Sequence, residues 1–175
     1  MKLGKYKALD RRDIRSTFLD YVDALAMPII DYVAIGVQDT IHRTSTSMMS
    51  RLDWQKTFYK LNLAAYDPVR KASFNTNSKI FAFDELDYQD SHGEEVMKQR
   101  KLHGIENGLV LIQRKLGHNF MLTLATGFKN FCPYKFLIAN QVTINRIFYD
   151  LICLIKPLAK EYQIKITTHQ NGDAK

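Results

Sequence analysis

Two residues in this chain are suited to holding a polar molecule. Trp54 is its only tryptophan, and Asp67 follows thirteen positions later, set between Tyr66 and the pair Pro68-Val69. A buried indole N–H needs an acceptor, and a carboxylate in an apolar setting is costly unless something pairs with it. Each residue also has an architectural reading. Trp54 on an apolar helix face serves a core, and Asp67 ahead of a proline serves as a helix cap whose oxygens accept from the next turn.

Other chemistry has weaker support. The sequence contains no GxSxG, no P-loop and no GxGxxG pattern. His42, His92, His103, His118 and His169 fall in turns, helix ends or the tail, and read as surface histidines. Cys132 and Cys153 are too sparse for a disulfide framework and read as buried or semi-buried thiols. No Cys or His lies at ligand spacing from another, so neither a metal nor a cofactor is expected. The acidic stretch FDELDYQD, with Asp84, Glu85, Asp87 and Asp90, lacks the glycine and terminal glutamate of a calcium loop and reads as solvated.

Trp54 and Asp67 need elements to position them. Ile14, Phe18, Val22 and Leu25 recur at helical spacing over about 10–26, before Pro28. DYVAIGVQ reads as a strand with Val33, Ile35 and Val37 on one face, and TSTSMM as its partner. A helix over about 53–63, capped by Asp53, puts Trp54, Phe58 and Leu61 on one face. Pro68 opens a short helix, and KIFAF is extended. Ser91 and Glu94 have capping-box spacing for a helix that Gly104 ends, with Ile105 as the apolar follower. GLVLIQ and FMLTLATG form a hairpin, and a long helix runs over about 136–160, with Pro157 bending or ending it. This order, without regular βαβ alternation, predicts an α+β fold: an α–β–α sandwich with a central antiparallel sheet of about five strands.

At 46% hydrophobic residues the chain can build a core, yet no apolar run approaches the roughly 18 residues that span a bilayer. MKLGKYKALDRRD has no apolar stretch behind its basic residues and is no secretory signal. The expectation is a cytoplasmic protein with no membrane contact. The net charge of +7 is scattered, and the front cluster of Lys2, Lys5, Lys7, Arg11, Arg12 and Arg15 reads as a solvated arm and first turn.

DWQKTFYKLNLAAYDPVRKA, KIFAF, HGIENGLVL and FMLTLATG together resemble the autoinducer-binding domain of LuxR-type quorum-sensing transcription regulators. The resemblance implies an acyl-homoserine lactone, or a related amphipathic amide, enclosed between the sheet and one helix layer. It implies that Trp54 donates to the lactone carbonyl and Asp67 accepts from the ligand amide. Phe83 stands where the family often has a second tryptophan, Gly108 matches a glycine that opens the central strand pair, and Thr123 falls near a Ser or Thr that reaches the amide. Phe58, Leu61, Phe81, Leu109, Leu111 and Leu122 become candidate walls for an acyl chain.

The chain departs from the family pattern at three of these positions. Ser50 replaces a tyrosine whose hydroxyl bonds the amide carbonyl, Phe58 replaces a lining tyrosine, and Phe83 replaces the second tryptophan. The resemblance also implies a sensor over 1–163, then a polar tail or linker over 164–175. No helix-turn-helix segment is read in the chain, so DNA contact would come only through one absent from it. The expected function is a non-enzymatic sensor that couples a small-molecule signal to folding and dimerisation, as a homodimer or with a full-length regulator. The alternatives are a ligand-free dimerisation protein of the same fold and a small enzyme acting on acyl substrates with Asp67 as base. Ile138, Phe148 and Ile152 lie outside the main stripe of the last helix, and serve either a dimer surface or packing on the sheet.

Overall fold

Each strand carries two interleaved sets of side chains, and the layers of the fold follow from that alternation. The computed structural model describes residues 11–41 and 44–170, with side chains described for 12–41 and 44–158. Five strands form one sheet in the order β2-β1-β5-β4-β3: β1 (Tyr32–Asp39), β2 (Ser45–Met49), β3 (Ile80–Ala82), β4 (Asn107–Lys115) and β5 (His118–Thr126). Every neighbouring pair is antiparallel. The helices are α1 (Arg11–Asp23), α2 (Leu52–Lys60), α3 (Pro68–Asn75), α4 (Ser91–Leu102) and α5 (Pro133–Gln170). This is the expected α+β sandwich.

Two cores separate cleanly across the sheet. Val33, Ile35, Val37, Leu109, Leu111, Leu122 and Leu124 pack with Ile14, Phe18, Ile144, Ile147 and Leu151 of α1 and α5. Their sequence neighbours Tyr32, Ala34, Val110, Ile112 and Ala125 pack on the opposite face with Trp54, Phe58, Val69 and Val96 of α2, α3 and α4. The registers align Met49, Ala34, Thr123, Val110 and Phe81 in one row across all five strands. Tyr32, Ala125 and Gly108 form the next row. Small side chains at Ala34, Thr123, Ala125 and Gly108 leave room on this face for larger groups from the helices.

Several local expectations need correction. The N-cap of α2 is Arg51, whose side chain makes no cap bond, and Asp53 lies inside the first turn. The helix ends at Lys60, so Leu61 falls beyond the packed face and is 51% exposed. Asp90, not Ser91, caps α4, its carboxylate accepting from Gly93 N–H at 2.7 Å. The C-terminus of α4 is as expected. Gly104 adopts φ +66, its N–H bonds to Lys101 O and Ile105 N–H to Arg100 O, and Ile105 is fully buried.

Cys132 and Cys153 are exposed, not buried. His103 is no free surface histidine. It caps α4, packs on Trp54 at 5.4 Å between ring centroids, and its Nε2 lies 3.3 Å from Thr57 Oγ1. The last helix begins earlier than expected and continues past Pro157 to Gln170, with non-helical dihedrals at Asn140. Phe148 and Ile152 pack on the α1–α5 core, whereas Ile138 is 77% exposed. His42, the side chain of His169, and Lys2, Lys5 and Lys7 lie outside the described residues.

Candidate ligand site

The face of the sheet under α2, α3 and α4 holds a cavity of about 200 Å³. Its floor is built from Tyr32, Ala34 and Gly36 of β1, Met49 of β2, and Met121 and Thr123 of β5. Phe58 of α2, Asp67 and Val69 at the start of α3, and Arg100 of α4 close it from above. The volume exceeds the roughly 150 Å³ apolar cavity that takes up benzene in an engineered protein.

Asp67 is fixed by its place in the chain. It is the N-cap of α3, ahead of Pro68 at N1, and its Oδ1 accepts from Val69 N–H at 3.1 Å. Its Oδ2 accepts from Arg100 Nη2 at 2.7 Å. Arg100 reaches it because Gly93, Val96 and Arg100 recur at helical spacing on the inward side of α4. Both side chains are 4% exposed, making this a buried ion pair.

The guanidinium is also framed by rings. Its Cζ lies 5.2 Å from the Trp54 ring centroid and 5.6 Å from that of Phe83, within cation–π range. Phe83 sits there because Gly108 has no side chain. A Cβ at position 108 would come within 2.7–2.9 Å of three Phe83 ring atoms. Burial works against the charge on Arg100, but Asp67 and Tyr32 together more than offset it, and the guanidinium is held above its ordinary pKa. The neighbouring Tyr32 phenol is pushed up to about 12, chiefly by burial.

Hydrogen bonding at this end of the cavity is incomplete. Trp54 Nε1, Arg100 Nε and Arg100 Nη1 are buried and have no partner. All three are donors. Buried polar groups are normally satisfied, and removing a partner from one costs about 1–3 kcal/mol. Arg100 brings two of these donors to the edge of the cavity, where the Tyr32 hydroxyl lies beside both the guanidinium and the Trp54 indole, an arrangement suited to a polar guest.

The family model of the autoinducer-binding domain matches residues 10–130. The chain belongs to this family. No curated protein sequence matches it. Among solved structures it is similar to CepR2 from Burkholderia cenocepacia, described as an N-acylhomoserine-lactone-dependent LuxR-family transcription factor, with TM-score 0.64 and 13% identity over 83% of this chain and 87% of that one. It is similar to Escherichia coli SdiA, with TM-score 0.60 and 12% identity over 90% of this chain and 64% of that one. SdiA in complex with octanoyl-rac-glycerol matches with TM-score 0.55 and 12% identity over 88% of this chain and 69% of that one. At such identities the likeness is one of fold.

In this autoinducer-binding domain, Phe58, Asp67 and Thr123 line the cavity, while Trp54 and Phe83 flank it through Arg100. Gly108 acts beneath Phe83. Ser50 stands apart, its Oγ accepting from Val33 N–H at 3.0 Å at the end of the β1–β2 pair. The acyl-wall assignments need the largest correction. Leu109, Leu111 and Leu122 face the α1–α5 core, Leu61 is exposed, and Phe81 lines a separate groove beside α3. Val110, Ile112 and Met121, one residue along, face the site layer instead.

Arg100 was not anticipated. The polar space that the resemblance gives to a ligand, between Trp54 and Asp67, is held by its guanidinium. Its seven-residue offset from Gly93 and four from Val96 was the available signal, obscured by the surrounding charges of EEVMKQRK.

Proposed function

We propose that this domain senses a small amphipathic molecule with an acyl-type tail, held between the sheet and the α2–α4 layer. The observation that carries the reading is the cavity itself, with Arg100, two of whose buried donors have no acceptor, in its lining. CepR2 is described as dependent on an N-acylhomoserine lactone, and SdiA is seen with octanoyl-rac-glycerol. Both compounds join an apolar chain to a compact polar head, the shape such a cavity suits. Binding would contribute to folding stability by linkage, by about 2.7 kcal/mol at a hundredfold excess over Kd.

On this reading the domain is a regulator module without catalysis. Occupancy favours a folded, self-associating form, as a homodimer or with a longer regulator, and so acts on transcription. Ile138, Val142 and Tyr149 on α5 are 77%, 84% and 68% exposed and supply an apolar surface for association. Among the described residues no group suited to a metal ion is present, and no helix is long and apolar enough to cross a membrane. We place the domain's action in the cytoplasm.

Thermal unfolding with a panel of acyl-homoserine lactones, acyl glycerols, acyl amides and alkanoates tests the reading. A concentration-dependent rise in Tm with one class is expected, and Ala34→Phe, which fills the cavity floor, should remove it. A stable chain whose Tm no compound moves would leave a ligand-free dimerisation fold.

A further inference from the structure

The chemistry of the cavity's polar end selects among heads, given the sensor reading above. A head that carries an N–H needs a free acceptor there. Asp67 is the carboxylate in the lining, each of its oxygens already accepts one hydrogen bond, from Val69 N–H and from Arg100, and the other side-chain acceptors there are neutral hydroxyls such as those of Tyr32 and Thr123. The unpaired groups are donors without exception: Trp54 Nε1, Arg100 Nε and Arg100 Nη1. Asp67 takes one hydrogen of Nη2, so the opposite edge of the planar guanidinium retains two N–H groups, the fork that a carboxylate meets bidentately.

Charge points the same way. Arg70 and Arg100 line the cavity against Asp67 alone, leaving one positive charge in excess. Arg70 already donates from both of its terminal nitrogens, Nη1 to Ala64 O at 3.0 Å and Nη2 to Ser45 Oγ at 3.2 Å. Arg100 keeps unused capacity although only 4% of its side chain is exposed. Arg100 is paired with Asp67 through Nη2, and its Nε and Nη1 remain available to an anion at the cavity's edge.

We infer that the ligand is a monocarboxylate with an apolar tail, its carboxylate accepting from Arg100 and its tail lying over Ala34, Met49 and Met121 beneath Phe58 and Val69. Arg100 thereby converts a site for a neutral head into one for an anionic, acceptor-only head. A neutral amide or lactone leaves the excess charge uncompensated.

Calorimetric titration of the full chain with octanoate, octanamide and N-octanoyl-homoserine lactone tests this. Hydrogen bonds to charged groups are strong, so octanoate should bind about tenfold more tightly than either neutral compound, or better. Arg100→Gln should erase the preference, weakening octanoate while changing octanamide little, and Lys98→Gln, which removes an exposed cation of α4 outside the cavity, should leave it intact. If Arg100→Gln does not fold, Arg100→Met with Asp67→Asn removes both charges together and should erase the preference in the same way. A smaller wild-type preference, or its loss in Lys98→Gln, overturns the assignment. Tight binding of the lactone alone overturns it while leaving the sensor reading in place, and binding of none of the three sinks both.

Discussion

Arg100 Nη2 and Asp67 Oδ2 meet at 2.7 Å, with each side chain 4% exposed, and join α4 to the start of α3 beside the Trp54 ring. The contact ties two helices of the site layer to one another and sets the polarity of the cavity's end. A buried pair of this kind is costly to break, because the survivor stays charged and desolvated.

Asp67→Ala and Arg100→Met should therefore each destabilise the domain by about 3–5 kcal/mol. Asp67→Ala also removes the cap bond to Val69 N–H, about 1 kcal/mol of that loss. Arg100→Met with Asp67→Asn leaves no unpaired charge and should cost less than either single change. Urea unfolding at constant m-value measures the coupling. Additive losses would mean the pair acts as two independent residues.

Gly108→Ala should cost about 1–3 kcal/mol by overpacking. The new Cβ would enter the Phe83 ring, which is 5% exposed and has Arg100 on it, so the ring has nowhere to withdraw. Phe83→Leu in the Gly108→Ala background should recover part of the loss. Denaturation midpoints decide it, and an unchanged midpoint for Gly108→Ala would show that the ring moves freely.

Alkaline pH should expose the burial of Tyr32. Its phenol is raised from its ordinary value of 10.0 to about 12, chiefly by desolvation. The unfolded chain thus releases this proton first. The stability Tyr32 contributes is complete below pH 10 and lost as pH rises through about 12, by on the order of 2–3 kcal/mol at most. Wild type should lose stability faster than Tyr32→Phe over this window. Parallel pH profiles would contradict the assignment.

Self-association should depend on the outer face of α5. Val142→Glu puts a charge at the centre of the Ile138, Val142 and Tyr149 surface. Sedimentation should show a shift toward monomer without loss of helix content, and an unchanged mass distribution would place any dimer contact elsewhere.

Periodic features of the fold were legible in the sequence. The β4–β5 hairpin, the Gly104 helix end and the buried positions of Trp54 and Phe58 each follow from local spacing. Which face of a strand meets the site was not. One residue of register exchanges Leu109, Leu111 and Leu122 for Val110, Ile112 and Met121, and both sets are apolar, so composition cannot choose between them. Cap positions failed for a related reason. Asp90 and Ser91 both cap helices well, and only the backbone path selects Asp90. Arg100 was hidden because a charged residue within a charged helix reads as solvated until its partner is located in another segment.

Trp54 provides the most direct measurement, because it is the chain's only tryptophan and lies against the guanidinium at the cavity's polar end. Its emission should change saturably on titration with octanoate, and the change should vanish in Ala34→Phe. Emission that stays constant while the protein remains folded, up to millimolar octanoate and the neutral acyl compounds alike, would contradict a ligand site between the sheet and the α2–α4 layer.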